Sequence, residues 1–132
     1  MNERFADTFH FLALFSADDE AHERAVRLNR ERQGALVTTE CVLTEVADAL
    51  AAPAARPVFL ALLAALRSDP RAVVVPASGD LFERGVSLFR ERPDKFWTLT
   101  DCISFVVMED RGIREALTGN HHFEQAGYQI LF

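Results

Sequence analysis

Ala72-Val73-Val74-Val75, a β-branched run set between Pro70 and Pro76, is the clearest strand in the 132-residue sequence, and its neighbours decide the fold. Downstream, Gly79-Asp80 leads into a helical pattern that ends near Arg92-Pro93. The stretch Trp97-Thr98-Leu99-Thr100-Asp101-Cys102-Ile103-Ser104-Phe105-Val106-Val107-Met108 then opens a helix predicted over Thr100 to Arg111, apolar on nearly every side. Gly112 is a natural cap for it, Ile113 to Thr118 predicts a strand, and Gly119-Asn120 turns the chain. A short helix around Phe123 to Gln125 and a last strand over Tyr128 to Phe132 complete this half.

Upstream, a helix from Arg56 to Arg67 carries Leu60, Leu62, Leu63 and Leu66, and Asp69-Pro70 turns from it into the valine strand. Ala35 to Thr38 reads as a strand, and Thr39 or Glu40 starts a helix through Leu50 that Pro53 stops. Near the start, Arg4-Phe5-Ala6 is a short strand candidate that ends at Asp7, followed by a helical stretch from Phe9 to Phe15. A second helix opens at Asp18-Asp19-Glu20 and runs to about Arg32, where Gly34 ends it. Its acids lie early and its arginines late, as the helix dipole favours. Strands alternating with helices signify βαβ units, so the expected fold is α/β, a three-layer α/β/α sandwich with a mostly parallel central sheet.

Composition sets the class. Hydrophobic residues at 49% and charged residues at 26% suit one compact soluble domain, and no apolar run reaches the roughly 18 residues of a membrane span. The opening Met1-Asn2-Glu3-Arg4-Phe5 lacks the layout of a signal peptide, which predicts a cytoplasmic protein. Cys41 and Cys102 are too far apart in sequence for a zinc pair and read as small buried hydrophobes. A net charge of -6 argues against a basic nucleic-acid scaffold, but not against a nuclease, whose acidic cluster is neutralised when it holds cations.

Ligands of a parallel sheet bind beyond the carboxyl ends of its strands, so polar residues just after strands carry the most weight. Asp7 follows the first strand, and Asn120 follows the fourth, which Thr118 ends. Either Asp7 or Asn120 can serve simply as a helix cap. On the helix after the second strand, Val42, Val46, Ala49 and Leu50 define the inward stripe. Glu45 lies at its edge, while Asp48 faces away. Thr98-x-x-Asp101 has the form of a capping box, although a helix start also favours an ionised carboxylate. Ser104 shares the Asp101 face and either lines the same pocket or bonds to a backbone carbonyl.

Together Asp7, Glu45, Asp101 and Asn120 are oxygen donors at comparable ends of successive β-α elements. Oxygen ligation suits Mg²⁺ or Mn²⁺ and the metal-assisted hydrolysis of a phosphodiester. Three carboxylates brought together repel one another unless a cation lies between them.

Four pieces, in order and spacing, resemble PIN-domain ribonucleases of the VapC toxin type over essentially the whole chain, 1–132. They are Phe5-Ala6-Asp7-Thr8, the helix Val42 to Leu50, Trp97 to Phe105, and Ala116 to Tyr128. The resemblance implies a single PIN-like domain acting as a metal-dependent endoribonuclease, with Asp7, Glu45 and Asp101 as acidic metal ligands and Thr8 beside the first acid. Asn120 stands where the family often has a fourth aspartate; it can ligate through its carbonyl oxygen but adds no charge. A homodimer and a small cognate antitoxin protein are further implications of the resemblance.

Arg90 to Trp97 mixes cations with aromatics just before Asp101. Arg92 and Lys95 are therefore candidate RNA contacts, with a solvated loop and core-packed aromatics as the other reading. His121 and His122 read as surface or packing residues, and Arg24, Arg27 and Arg30 as a solvated helix face. A haloacid dehalogenase would need a second aspartate two residues after Asp7, where Phe9 stands. A receiver domain would need a lysine after a late strand, yet the only lysine, Lys95, precedes the apolar helix. The rival from another class is a PIN-like module in which Asn120 weakens catalysis and the domain binds RNA or protein.

Overall fold

The computed structural model describes residues 3–31 and 34–132. In chain order they form β1 (Arg4–Ala6), α1 (Thr8–Phe15), α2 (His22–Glu31), β2 (Leu36–Thr39), α3 (Glu40–Ala49) and α4 (Arg56–Ser68). The second half comprises β3 (Ala72–Val75), α5 (Gly79–Glu91), α6 (Leu99–Arg111), β4 (Glu115–Leu117), α7 (His121–Gln125) and β5 (Gln129–Ile130). The five strands make one sheet in the order β3-β2-β1-β4-β5, parallel at every pairing and flanked by helices. The expected three-layer α/β/α sandwich is the one found. Its chain reverses direction across the sheet between β1 and β4, where the strand order switches.

The core runs along this middle. Phe5, Val37, Ala116 and Leu117 fill the central strands, while Val42 and Val46 of α3 and Phe105 and Met108 of α6 pack over them. Phe105 meets Phe123 edge-on at 4.9 Å and Trp97 at 5.1 Å, geometries that favour aromatic pairs beyond their buried area. Within the described residues no helix is long and apolar enough to cross a membrane.

Several boundaries differ from expectation for local reasons. Helix α2 starts at His22, not Asp18, because Asp19 accepts the Ala21 N–H at 2.8 Å and holds that segment in a turn. Its expected end at Arg32 lies outside the described residues. β4 starts at Glu115, not Ile113, because Ile113 donates its N–H to the Met108 carbonyl and so belongs to the cap of α6. Gly112 makes that cap at φ 66°. β5 likewise begins after Tyr128, whose N–H bonds to the Phe123 carbonyl behind Gly127 at φ 98°. On α3 the buried stripe is Val42, Leu43 and Val46; Ala49, expected inside, is exposed at the helix end.

Helices α5 and α6 pack against each other along a shared face. Buried Gly85 permits it, since a β-carbon there would lie 2.5 Å from Ile103 Cγ1. Alanine favours a helix over glycine by about 1 kcal/mol, but overpacking costs about 1–3 kcal/mol, and a β-branched side chain in a helix has little rotamer freedom to retreat. We therefore expect Gly85→Ala to cost on the order of 1 kcal/mol of stability net, read as a lower urea midpoint with an unchanged m-value.

Candidate active site

Asp7 leaves β1 at the switch point. Ala6 pairs with Leu117 across β1 and β4, so the next residues, Asp7 and Thr118, emerge side by side. The Thr118 hydroxyl donates to Asp7 Oδ2 at 3.0 Å and accepts the Asn120 N–H at 3.0 Å, which ties the two strand ends together. Asp7 occupies the cap position of α1, yet its side chain makes no capping hydrogen bond. Its carboxylate, 5% exposed, serves something other than the helix.

That carboxyl is pushed up from 3.8 to about 6. Burial is the largest cause. The Thr8 N–H and Thr118 hydroxyl pull it down, and the charges of Asp101 and Glu45 push it up further. Repulsion among acids is therefore present, but loss of water outweighs it.

The other expected residues are each held by a short bond to a partner of their own, with Glu45 and Asp101 near enough for their charges to act on Asp7. Thr8 on α1 donates its hydroxyl to Glu45 Oε1 of α3 at 2.6 Å. Asp101 on α6 forms the capping box: its Oδ2 accepts the Thr98 N–H at 3.0 Å, while Thr98 Oγ1 accepts the Asp101 N–H. Asn120 caps α7, its Oδ1 accepting the His122 N–H at 2.9 Å. Ser104 is buried but donates to the Thr100 carbonyl at 2.9 Å, inside its own helix.

His122, which the sequence places at the surface or in packing, joins this group. Its Nδ1 lies 2.8 Å from Asp101 Oδ2, and because a carboxylate only accepts, the proton belongs to Nδ1. The sequence signal is slight: a histidine two residues past an Asn cap, in a turn whose proximity to α6 only the fold reveals.

Among the described residues, no three His, Cys, Asp or Glu side chains converge as ligands of one ion. Asp7, Glu45 and Asp101 are electrostatic neighbours, each steadied by its own partner. The donor chemistry still fits a hard divalent cation, being oxygen-only and net negative around a dehydrated carboxylate. Glu45 Oε2 and Asp101 Oδ1 lie outside the bonds described.

Beyond the acids, Pro93 and Asp94 form the corners of a turn closed by the Lys95 N–H to the Arg92 carbonyl at 3.1 Å. Arg92 pairs with Asp94 and lies 5.1 Å over the Trp97 ring. Trp97 is packed in the core, with Nε1 donating to Gln125 at 3.0 Å, whereas Phe96 is 92% exposed. Arg24, Arg27 and Arg30 are solvent-facing, as is Asp48.

The PIN domain family matches residues 4–127. Among characterised proteins, the chain is 28% identical over 124 residues to the 23S rRNA-specific endonuclease VapC20 of Mycobacterium tuberculosis, covering 94% of each chain. The crystal structure of M. tuberculosis VapC20, a sarcin-ricin loop cleaving toxin, superposes with a TM-score of 0.84 at 27% identity, over 94% of this chain and 95% of that one. VapBC2 from Rickettsia felis, solved bound to a DNA fragment from its promoter, shares the fold with a TM-score of 0.67 at 11% identity. That match covers 97% of this chain and 96% of that one.

The buried carboxyl has a measurable consequence. In metal-free protein the folded state keeps the Asp7 proton up to about pH 6, while the unfolded chain releases it near 3.8. Between those values the folded state holds more protons, so stability falls as pH rises through the window, by on the order of 3 kcal/mol in all. In EDTA, Asp7→Asn is expected to raise the melting temperature by several degrees at pH 7.5 and to change it little at pH 4. Scanning calorimetry at the two pH values checks this.

Proposed function

The chain belongs to the PIN-domain family, and from that premise we propose that it is a divalent-metal-dependent endoribonuclease, the toxin of a toxin-antitoxin pair. The observation that carries the reading is the Asp7 carboxyl, buried at the β1/β4 switch point beside Glu45 and Asp101 and destabilised there as an anion. A dehydrated carboxylate with two more as electrostatic neighbours is a poor arrangement for stability alone and a good one for attracting a cation. VapC20, a 23S rRNA endonuclease similar over 94% of both chains, supports RNA as the substrate.

Asp7, Glu45 and Asp101 would hold Mg²⁺ or Mn²⁺, with the Asn120 carbonyl as a neutral fourth donor. When bound, such an ion polarises the phosphoryl oxygen and orients the attacking water. The chain's own contribution is preorganisation. Thr118 fixes one oxygen of Asp7, Thr8 fixes Glu45, and the capping box with His122 fixes Asp101, so each carboxylate keeps a single orientation. Burial excludes bulk water from Asp7, which strengthens its attraction to a cation. Arg92 and Lys95, on the loop leading to α6, supply positive charge for a phosphate backbone, with Arg92 partly engaged by Asp94. Ser104 supports the site only through the geometry of α6.

A small antitoxin and a homodimer belong to this reading, as does action in the cytoplasm, where the RNA would be met. Exposed Phe82 and Phe89, seven residues apart on one face of α5, supply apolar area for a protein contact.

Purified protein is expected to cleave RNA with Mg²⁺ or Mn²⁺ and not in EDTA, and Asp101→Asn to reduce the rate at least 100-fold, roughly the scale of losing one preorganised charged group. Equal cleavage by wild type and Asp101→Asn would mark the activity as contamination. His122→Ala is expected to weaken the apparent cation affinity about 10- to 100-fold, as loss of a carboxylate's supporting hydrogen bond does, measured by titrating the metal in the cleavage assay. Asn120→Asp should raise activity at low metal concentration, and RNA binding without cleavage in either ion would favour the binding-module reading.

A further inference from the structure

Phe96 stands 92% exposed, far beyond the other exposed large apolar side chains, which range from 37% for Phe9 to 61% for Leu60. Nothing in the loop excuses it as slack chain. On one side the Arg92–Lys95 turn is closed by a backbone bond, and the Arg92 guanidinium pairs with Asp94 and covers Trp97. On the other, Trp97 is 6% exposed and anchored to Gln125, and the next residue, Thr98, opens the capping box with Asp101. An aromatic ring is thus presented to solvent from a loop pinned at both ends. Because Phe96 precedes Thr98 by two residues, its Cα lies within about 7 Å of the Cα whose N–H bonds Asp101.

The charge around it selects the occupant. In a chain of net charge -6, the segment Arg90 to Lys95 carries three cations against two acids, a local excess of one positive charge. Arg90, Arg92 and Lys95 line one groove with Val86, Phe89 and Trp97, so cations and apolar side chains share one surface next to the loop that carries Phe96. A carboxylate-rich surface would use only the cations of this mixture, and a bare apolar helix only its apolar side chains. A single-stranded nucleic acid, with phosphates spaced between flat bases, matches it in both respects.

We infer that Phe96 is a stacking platform for an unpaired nucleobase next to the scissile phosphate, with Lys95 and Arg90 holding the adjoining backbone. The inference rests on the nuclease reading of the Asp7 site and adds to it a specificity-determining contact: Phe96 favours RNA with an unstacked base at the cleavage point over continuous duplex. Stacking tolerates any base, so the platform sets geometry and does not read sequence.

The test uses a fluorescein-labelled RNA hairpin with a purine loop, bound in Ca²⁺ and cleaved in Mg²⁺, beside a blunt duplex of the same composition. Stacking is worth about 1–3 kcal/mol per base, so Phe96→Ala and Phe96→Leu are expected to weaken hairpin binding by about 5- to 150-fold. Phe96→Trp and Phe96→Tyr are expected to retain it, and duplex binding should be the same for all five proteins. In cleavage the loss should appear mainly in KM. Leucine performing as well as tryptophan would overturn the platform, since contact without stacking would then suffice. So would wild-type hairpin affinity and KM in all four variants, in which case metal-dependent cleavage lost in Asp101→Asn would leave the nuclease reading standing. A change confined to sedimentation, with RNA affinity intact, would assign Phe96 to a protein contact and overturn the inference. Failure of the wild type both to bind and to cleave RNA would overturn the inference and the reading beneath it together.

Discussion

The Thr118 to Asp7 hydrogen bond joins the ends of the two parallel strands between which the strand order reverses, and the candidate site lies beyond them. A parallel sheet whose order reverses leaves a crevice beyond the carboxyl ends of the two central strands, because the connections on either side depart in opposite senses. The side chain at the end of β1 must enter that crevice. Asp7 does so as a carboxylate with little access to water, which a stability argument alone disfavours. The hydroxyl of Thr118 and the N–H of Thr8 lower the cost without removing it, for the carboxyl remains raised to about 6. The remaining imbalance is electrostatic, and it has the sign that a cation corrects.

Much of the fold is legible in the sequence because its signals are local and strong. The β3 boundaries coincide with the valine run, and α4, α5 and α6 begin and end within a residue or two of their caps and breakers. The misplaced strand boundaries share a cause: hydrogen bonds that extend a helix cap by one residue. Ile113 and Tyr128 are both apolar and both precede strand residues, so a periodicity reading assigns them to strands. Each gives its N–H to the preceding helix instead, behind a glycine in the left-handed region. At Asp18 to Glu20 the acids that suit a helix start also suit a turn, and the Asp19 side chain decides for the turn.

The site is legible wherever its residues sit just past the end of a strand. Asp7 and Asn120 lie there by position, Thr118 closes the expected fourth strand, and the helical wheel brings Glu45 to the edge of α3 that faces Thr8. His122 is not legible, because its contact with Asp101 arises from two helix starts meeting across 21 residues of chain. Phe96 and Trp97 cannot be told apart either. They are adjacent aromatics, and only the packing of α7 against α6 determines that one ring is enclosed and the other presented.

On the sequence alone, capping and ligation compete as explanations for Asp101 and Asn120, since a helix cap needs no metal. On the metal-dependent reading, the geometry leaves room for both uses of one side chain. A cap engages one oxygen: Oδ2 of Asp101 takes the Thr98 N–H and the His122 imidazole, and Oδ1 of Asn120 takes the His122 N–H. For Asp101 this fixes the rotamer and leaves Oδ1 with a defined direction, the condition under which a donor binds an ion without first losing conformational entropy. For Asn120 it engages the only acceptor oxygen the side chain has, leaving one lone pair and no charge. Capping therefore strengthens the case for Asp101 as a ligand and makes Asn120 the lesser one. On the metal-dependent reading proposed above, the cation affinity of the site would depend on three carboxylates of unequal freedom, with buried Asp7 supplying most of the driving force and the two helix-borne acids most of the geometry.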